Sequence, residues 1–216
     1  MKIQKPKLNP DLMKAVDFIK LLREERDNEI DLEQVHINGA EFIGEDFCGA
    51  RFENVLFERC RFSECSFEKA YFSDVVFANC DFSNSNMNYG YFNRCEFSMN
   101  KALGATFTEA CMKDVSITES NFKYSNFNKM KMDAVELKDS SFESAYLTEC
   151  KIKNLYCNNT EFLNASFFRT PLKGINFTKS NITGLVVSME GVELKGAIVD
   201  LYQAAELAKL LGVVIQ

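Results

Sequence analysis

The chain has 216 residues, a formal net charge of −6 and a pI near 5.0. It is long enough for one domain or at most two and too acidic for a general nucleic-acid binder. Eight cysteines, no apolar leader in MKIQKPKLNPDLMK and no long apolar run point to free thiols, a cytoplasmic location and no membrane span.

The first segment, residues 1–31, carries one helix signal. Asn9-Pro10 reads as an N-cap followed by proline at the first helical position. Leu12, Val16 and Ile19 share one helical face, widened by Leu21 and Leu22, with Lys14, Asp17, Lys20, Arg23 and Glu24 elsewhere. The pattern predicts a helix over 10–26 that covers the first layer of the segment that follows; the other use of such a helix is to grip a partner.

Residues 32–191 repeat every five. Between Phe52 and Phe72 the chain reads FENVLFERCRFSECSFEKAYF. Neither a helix face (3.6) nor a strand face (2) has that period. Of the 20 phenylalanines, 18 share this one phase between Phe42 and Phe177, and the phase runs unbroken from Ile37 to Val187. Two residues before each ring lies a second column of small residues, such as Ala50, Val55, Cys60, Cys65 and Ser85, with Glu45, Asn100, Met130 and Leu155 among the exceptions. The remaining positions are mostly Asn, Ser, Glu, Asp, Lys and Thr.

This (A/C/S)xFxx pattern resembles the pentapeptide-repeat family. The resemblance implies an all-β solenoid, a right-handed quadrilateral β-helix in which five residues make one side and twenty make one coil. Residues 32–191 then form eight coils, and Phe57, Phe77 and Phe97 stack in one ladder. At an inter-strand spacing of about 4.8 Å the rod is roughly 38 Å long. Each buried ring contributes roughly 2 kcal/mol of gross transfer energy. Ala102 is the weak ring position and predicts a local bulge or narrowing.

The last segment, 192–216, reads VELKGAIVDLYQAAELAKLLGVVIQ. Asp200 and Gln203 fit a capping box for a helix over 201–211; Gly212 stops it, and Val213-Val214-Ile215 follows. GVELKG, DLYQAAEL and LG are similar to the C-terminus of the Qnr-type quinolone-resistance proteins. That resemblance implies a homodimer built through Tyr202, Leu207, Leu210, Leu211, Val213, Val214 and Ile215. It also implies a DNA-mimicking rod that binds type II topoisomerases, DNA gyrase and topoisomerase IV, and so modulates fluoroquinolone sensitivity without binding nucleic acid itself. The loops that many Qnr-type members carry are absent, since the five-residue phase has no break.

The residues carry little chemistry. His36 is the only histidine, so acid–base and Cys–His arrangements lack a second member. There is no CxxC spacing for a metal and no Gly-rich phosphate loop, so the expectation is a non-enzyme with no cofactor. Cys60, Cys65, Cys80, Cys95 and Cys150 fall in the small inner column and Cys157 in the ring column, where they act as small apolar residues. Cys48 and Cys111 face outward.

Surface charge is uneven. Residues 32–100 have 11 acids and 5 bases, whereas 101–191 have 10 acids and 11 bases. The candidate partner-binding acids are Asp46, Glu53, Glu58, Glu64, Glu68, Asp74, Asp81 and Glu96, spread over all four sides. Lys113, Lys131, Lys151, Lys153 and Lys173 fall on one side as a candidate basic face for an acidic partner. Both sets also serve as an ordinary solvated surface. A DNA mimic is therefore weighed against a scaffold rod with an unrelated partner.

Overall fold

The computed structural model describes residues 3–14, 31–210 and 212–215. From Asp31 onward the chain climbs in parallel layers, each residue standing beside the one twenty positions later. Phe52 pairs with Phe72, Phe72 with Phe92, and Phe57 with Phe77. The first face holds Arg51–Glu53, Tyr71–Ser73 and Lys151–Ile152; the second holds Leu56–Glu58, Val76–Ala78 and Leu155–Asn158. Between them the longer strands Tyr91–Ser98, Cys111–Thr118 and Lys131–Lys138 cross both faces. The third and fourth faces are built mainly of single parallel bridges, such as Arg61 to Asp81 to Lys101 and Ser66 to Asn86 to Thr106. The result is an all-β solenoid with, among the described residues, one α-helix, Leu201–Leu210.

Inside, the rings stack as the spacing predicts. Phe57, Phe77 and Phe97 follow one another at 5.2 and 4.8 Å between centroids. Adjacent ladders meet edge to face, as Phe77 does with Phe72 and Phe82 at 5.5 and 5.1 Å, so Phe77 has both favourable aromatic geometries. The small column has its own logic. Its hydroxyls and thiols donate to the carbonyl of a ring residue one layer below: Ser125 Oγ to Ala102, Thr160 Oγ1 to Leu137, Cys80 Sγ to Phe57. Asn100, an exception in that column, is buried and bonded in the same way, donating to the Phe77 carbonyl while its Oδ1 accepts from Cys80 N–H.

A third column is not marked in the sequence. From Gln34 to Gly174 every side ends in a residue with positive φ, and 24 of these are not glycine, among them Arg59, Lys69, Tyr89, Met99 and Ala134. The corner N–H donates to a carbonyl of the next layer, Asn54 to Ser73 at 2.9 Å and Arg59 to Ala78 at 2.9 Å.

Two expectations need correction. Met13–Lys14 is not helical but pairs as a parallel strand with Val35 and His36, and Asn9 Oδ1 accepts from Asp11 N–H in a turn rather than capping a helix. The rest of the helix expected over 10–26 lies outside the described residues. Ala102 makes no bulge: Lys101 bridges Asp81 and Asn121 in register, Ala102 is fully buried, and Phe97 and Phe122 approach across the gap to 6.1 Å. At the other end the capping box is present, Gln203 N–H donating to Asp200 Oδ1 at 2.9 Å and Asp200 N–H to Gln203 Oε1 at 3.0 Å. Gly212 at φ +79 allows the paired bonds Gly212 N–H to Lys209 and Val213 N–H to Ala208 that close the helix.

Phe77→Ala removes a fully buried ring with four aromatic neighbours. It should lower unfolding free energy by about 3–5 kcal/mol, measured by urea denaturation.

Candidate functional site

Among the described residues no three His, Cys, Asp or Glu side chains come together as a metal site. Burial pushes the Cys95 and Cys157 thiols up to about 12 and the Cys150 thiol up to about 11, which makes them poor nucleophiles. Binding surfaces are therefore the candidates, namely the acids, the lysines and the C-terminal end.

The structure does not gather the acids. Glu53 lies on the first face, Glu58 and Glu96 on the second, Asp81 on the third, and Asp46 and Glu68 on the fourth, with Glu64 at the corner between the last two. Several are already paired. Glu58 holds His36 Nε2 at 2.9 Å and Arg59 at 3.5 Å; Glu68 holds Lys69 at 3.4 Å. Asp74, expected on the partner-binding surface, is instead buried. Its Oδ1 accepts from Lys7 N–H at 2.9 Å and its Oδ2 from Arg94 at 2.5 Å. Burial raises the Asp74 carboxyl, but the Arg94 guanidinium and Lys7 N–H outweigh it and hold it below the usual carboxylate range.

The lysines do share a face. Lys131 stands beside Lys151 on adjacent rungs, and Lys113 stands beside Asp133. All five lysines are exposed, with Lys173 following Lys153 by one period. Lys153 Nζ reaches Asp133 at 3.2 Å, so an acid sits within the basic face.

The C-terminal end divides. Leu207, expected at a dimer interface, is buried against its own rod together with half-buried Leu194, Ala197 and Val199. Tyr202, Leu210, Val213, Val214 and Ile215 are exposed, as is Leu201; Leu211 lies outside the described residues. Gln203 Nε2 donates to the Phe177 and Ser180 carbonyls and so ties the helix to the last full layer. Sequence reading missed Glu193, which is buried. Its Oε1 accepts from Arg169 N–H at 2.7 Å and Ser188 N–H at 3.2 Å, and its Oε2 from Ser188 Oγ at 2.7 Å. It serves a corner N–H that elsewhere finds a carbonyl of the next layer. Its place in VELKG offers no local clue to that.

Four faces, a ring at every fifth residue and a left-handed corner after each side define a parallel β-solenoid of five-residue units. Residues 50–127 and 70–147 match the family model described as pentapeptide repeat region. No curated protein matches the chain. Two trypsin-treated variants of QnrB1, a plasmid-mediated fluoroquinolone resistance protein, share the fold. One is 22% identical over 87% of this chain and 99% of its own, with a TM-score of 0.52; the other is 23% identical over 87% and 98%, with a TM-score of 0.51. HetL, a pentapeptide repeat protein of the cyanobacterium Nostoc involved in heterocyst differentiation regulation, is 14% identical over 88% of this chain and 95% of its own, with a TM-score of 0.49. No helix among the described residues is long and apolar enough to cross a membrane.

Burial raises the Glu193 carboxyl, but the Ser188 hydroxyl and the backbone N–H groups outweigh it and hold it below the usual range. Its stabilising contribution is then present above the unfolded value and lost as pH falls through the lower folded value. Melting temperature should drop as pH falls below the ordinary carboxylate range, and Glu193→Gln should lower it at neutral pH and flatten that drop.

Proposed function

We propose that the chain is a non-enzymatic, cytoplasmic rod that pairs with a second copy through its C-terminal end and presents the paired rod to a type II topoisomerase, DNA gyrase or topoisomerase IV, in the manner of a DNA duplex. The observation that carries the reading is the unpartnered apolar end. Leu201 and Tyr202 are 81% and 84% exposed on a helix whose other side is fixed to the rod, and Val214, in the tail beyond it, is 83% exposed. Large apolar side chains clustered in the open mark an interaction site. In this reading residues 1–31 and 192–216 cap a body of eight coils over 32–191. The bridge ladder from Glu41 to Asn181 supplies a rung for each. The topoisomerase follows from the C-terminal likeness to Qnr-type proteins and from the solenoid shared with QnrB1, a fluoroquinolone resistance protein.

The charge pattern favours a second reading, a scaffold rod for an unrelated partner. The acids are dispersed and partly paired, Asp74 is covered, and Lys131 and Lys151 stand exposed on adjacent rungs. A duplex instead carries about one charge per 1.7 Å.

A gyrase supercoiling and cleavage assay, with and without ciprofloxacin, separates the two readings. Inhibition or drug protection at micromolar protein supports the first, and neither effect leaves the scaffold. For the pairing, light scattering should give a dimer, and Tyr202→Asp with Val214→Asp should weaken it at least about tenfold without moving the rod's melting temperature. A wild-type monomer would exclude the C-terminal interface. Leu207→Asp, by contrast, should destabilise the C-terminal layer itself.

A further inference from the structure

Residues 3–9 lie along the outside of the rod, on the corner between the first and second faces. Asn9 N–H donates to Asn54 Oδ1 at 2.7 Å, Lys7 N–H to Asp74 Oδ1 at 2.9 Å and Gln4 N–H to Asp114 Oδ1 at 3.0 Å. Asn9 Nδ2 continues the row to Gln34 Oε1 at 2.9 Å. The acceptors are all corner residues with positive φ, and they follow one another up the same edge. The segment thus runs along the rod across successive layers, and its partners lie 25 to 110 residues away.

The fit is specific. Two layers separate Asp74 from Asp114, about 9.6 Å, and three extended residues from Lys7 to Gln4 span about 10 Å. Between them stands Arg94, the one corner in the row that has no acceptor. Between Lys7 and Gln4 in the segment stands Pro6, which has no N–H to donate. Arg94 turns to Asp74 instead, Nε to Oδ1 at 2.8 Å. Proline also holds Lys5 extended. Charge is complementary, with Lys5 and Lys7 set against Asp74 and Asp114. Recognition runs through backbone N–H groups on side-chain acceptors, so the edge reads an extended main chain, as an open sheet edge does. It needs little from the peptide's side chains beyond positive charge and a proline at one place.

We propose that the corner row Asn54, Asp74 and Asp114 is a docking edge for an extended, lysine-bearing peptide segment of a partner protein, and that residues 4–9 are its resident occupant. The resident competes at the effective concentration of a tethered segment, so a partner peptide enters when the resident is released. The three strap amides, which a free chain end would leave to water, are the signature of the site.

The test uses the full chain with Gln4→Pro, Lys7→Pro and Asn9→Pro, whose own segment can no longer donate. The probe is a fluorescein-labelled peptide of sequence MKIQKPKLNPDL. Saturable one-to-one binding is expected, at least about tenfold tighter than to the wild type, and adding Asp74→Ala and Asp114→Ala should weaken it at least about tenfold. No uptake by the folded triple variant at about 1 mM peptide, or uptake indifferent to the two aspartates, overturns the proposal. Amide exchange on the wild-type chain needs no variant to fold. Gln4, Lys7 and Asn9 should exchange more slowly than Lys5 and Leu8, and equal rates would remove the resident and the site with it.

Discussion

A left-handed backbone residue at the end of each five-residue side from Gln34 to Gly174 is the constraint on which the rest of this molecule depends. Each such residue that is not glycine costs roughly 1–2 kcal/mol, and there are 24 of them among the described residues. The corner N–H then reaches a carbonyl of the layer above, so no corner is supported by its own neighbours in sequence. The layers hold one another's strain in place, which is why the ends need special devices. At the upper end the Glu193 carboxylate replaces the missing carbonyl and Gln203 ties the helix to the carbonyls of Phe177 and Ser180. Near the lower end Met13–Lys14 adds a strand to Val35–His36.

The parts of this architecture that could be read from the sequence are those with a local or strictly periodic cause. The rings betray themselves by repetition, and the capping box at Asp200 and Gln203 is complete within four residues. The corner column leaves no such mark. Gly and Asn, the residues that favour positive φ, occupy some corners, but Arg59, Tyr89 and Met99 occupy others because hydrogen bonds from the next layer hold them there. The N-terminal segment shows the opposite failure. Asn9-Pro10 carries a sound local helix signal, yet Met13–Lys14 pairs as a strand with Val35–His36. Leu207 and Tyr202 lie on different sides of the C-terminal helix, and the position of the last layer makes the first core and leaves the second on the surface.

The same twenty-residue register writes the surface. Arg61 meets Glu41, Arg94 meets Asp74, Lys123 meets Glu143, Lys153 meets Asp133 and Arg169 meets Glu149, each pair one layer apart. Apart from Arg94 with the buried Asp74, these are exposed pairs that contribute between about 0 and 1 kcal/mol each. Their larger effect is on the field around the rod, because a charge balanced by the rung beside it projects little beyond a Debye length. Charges without such a rung partner therefore weigh more in recognition than the total of −6 implies.

Stacking at a separation of twenty also sets what lengths of inserted or deleted chain the protein can tolerate. Loss of one residue would turn every later ring toward water. Loss of five would keep the rings inside but carry each later side chain a quarter of the way round the rod, so that Lys131 and Lys151 would leave the face they now share with Lys113. Only whole coils can be added or removed with both core and surface intact. Such a gene can change the length of its product in steps of one layer without disturbing what each face displays.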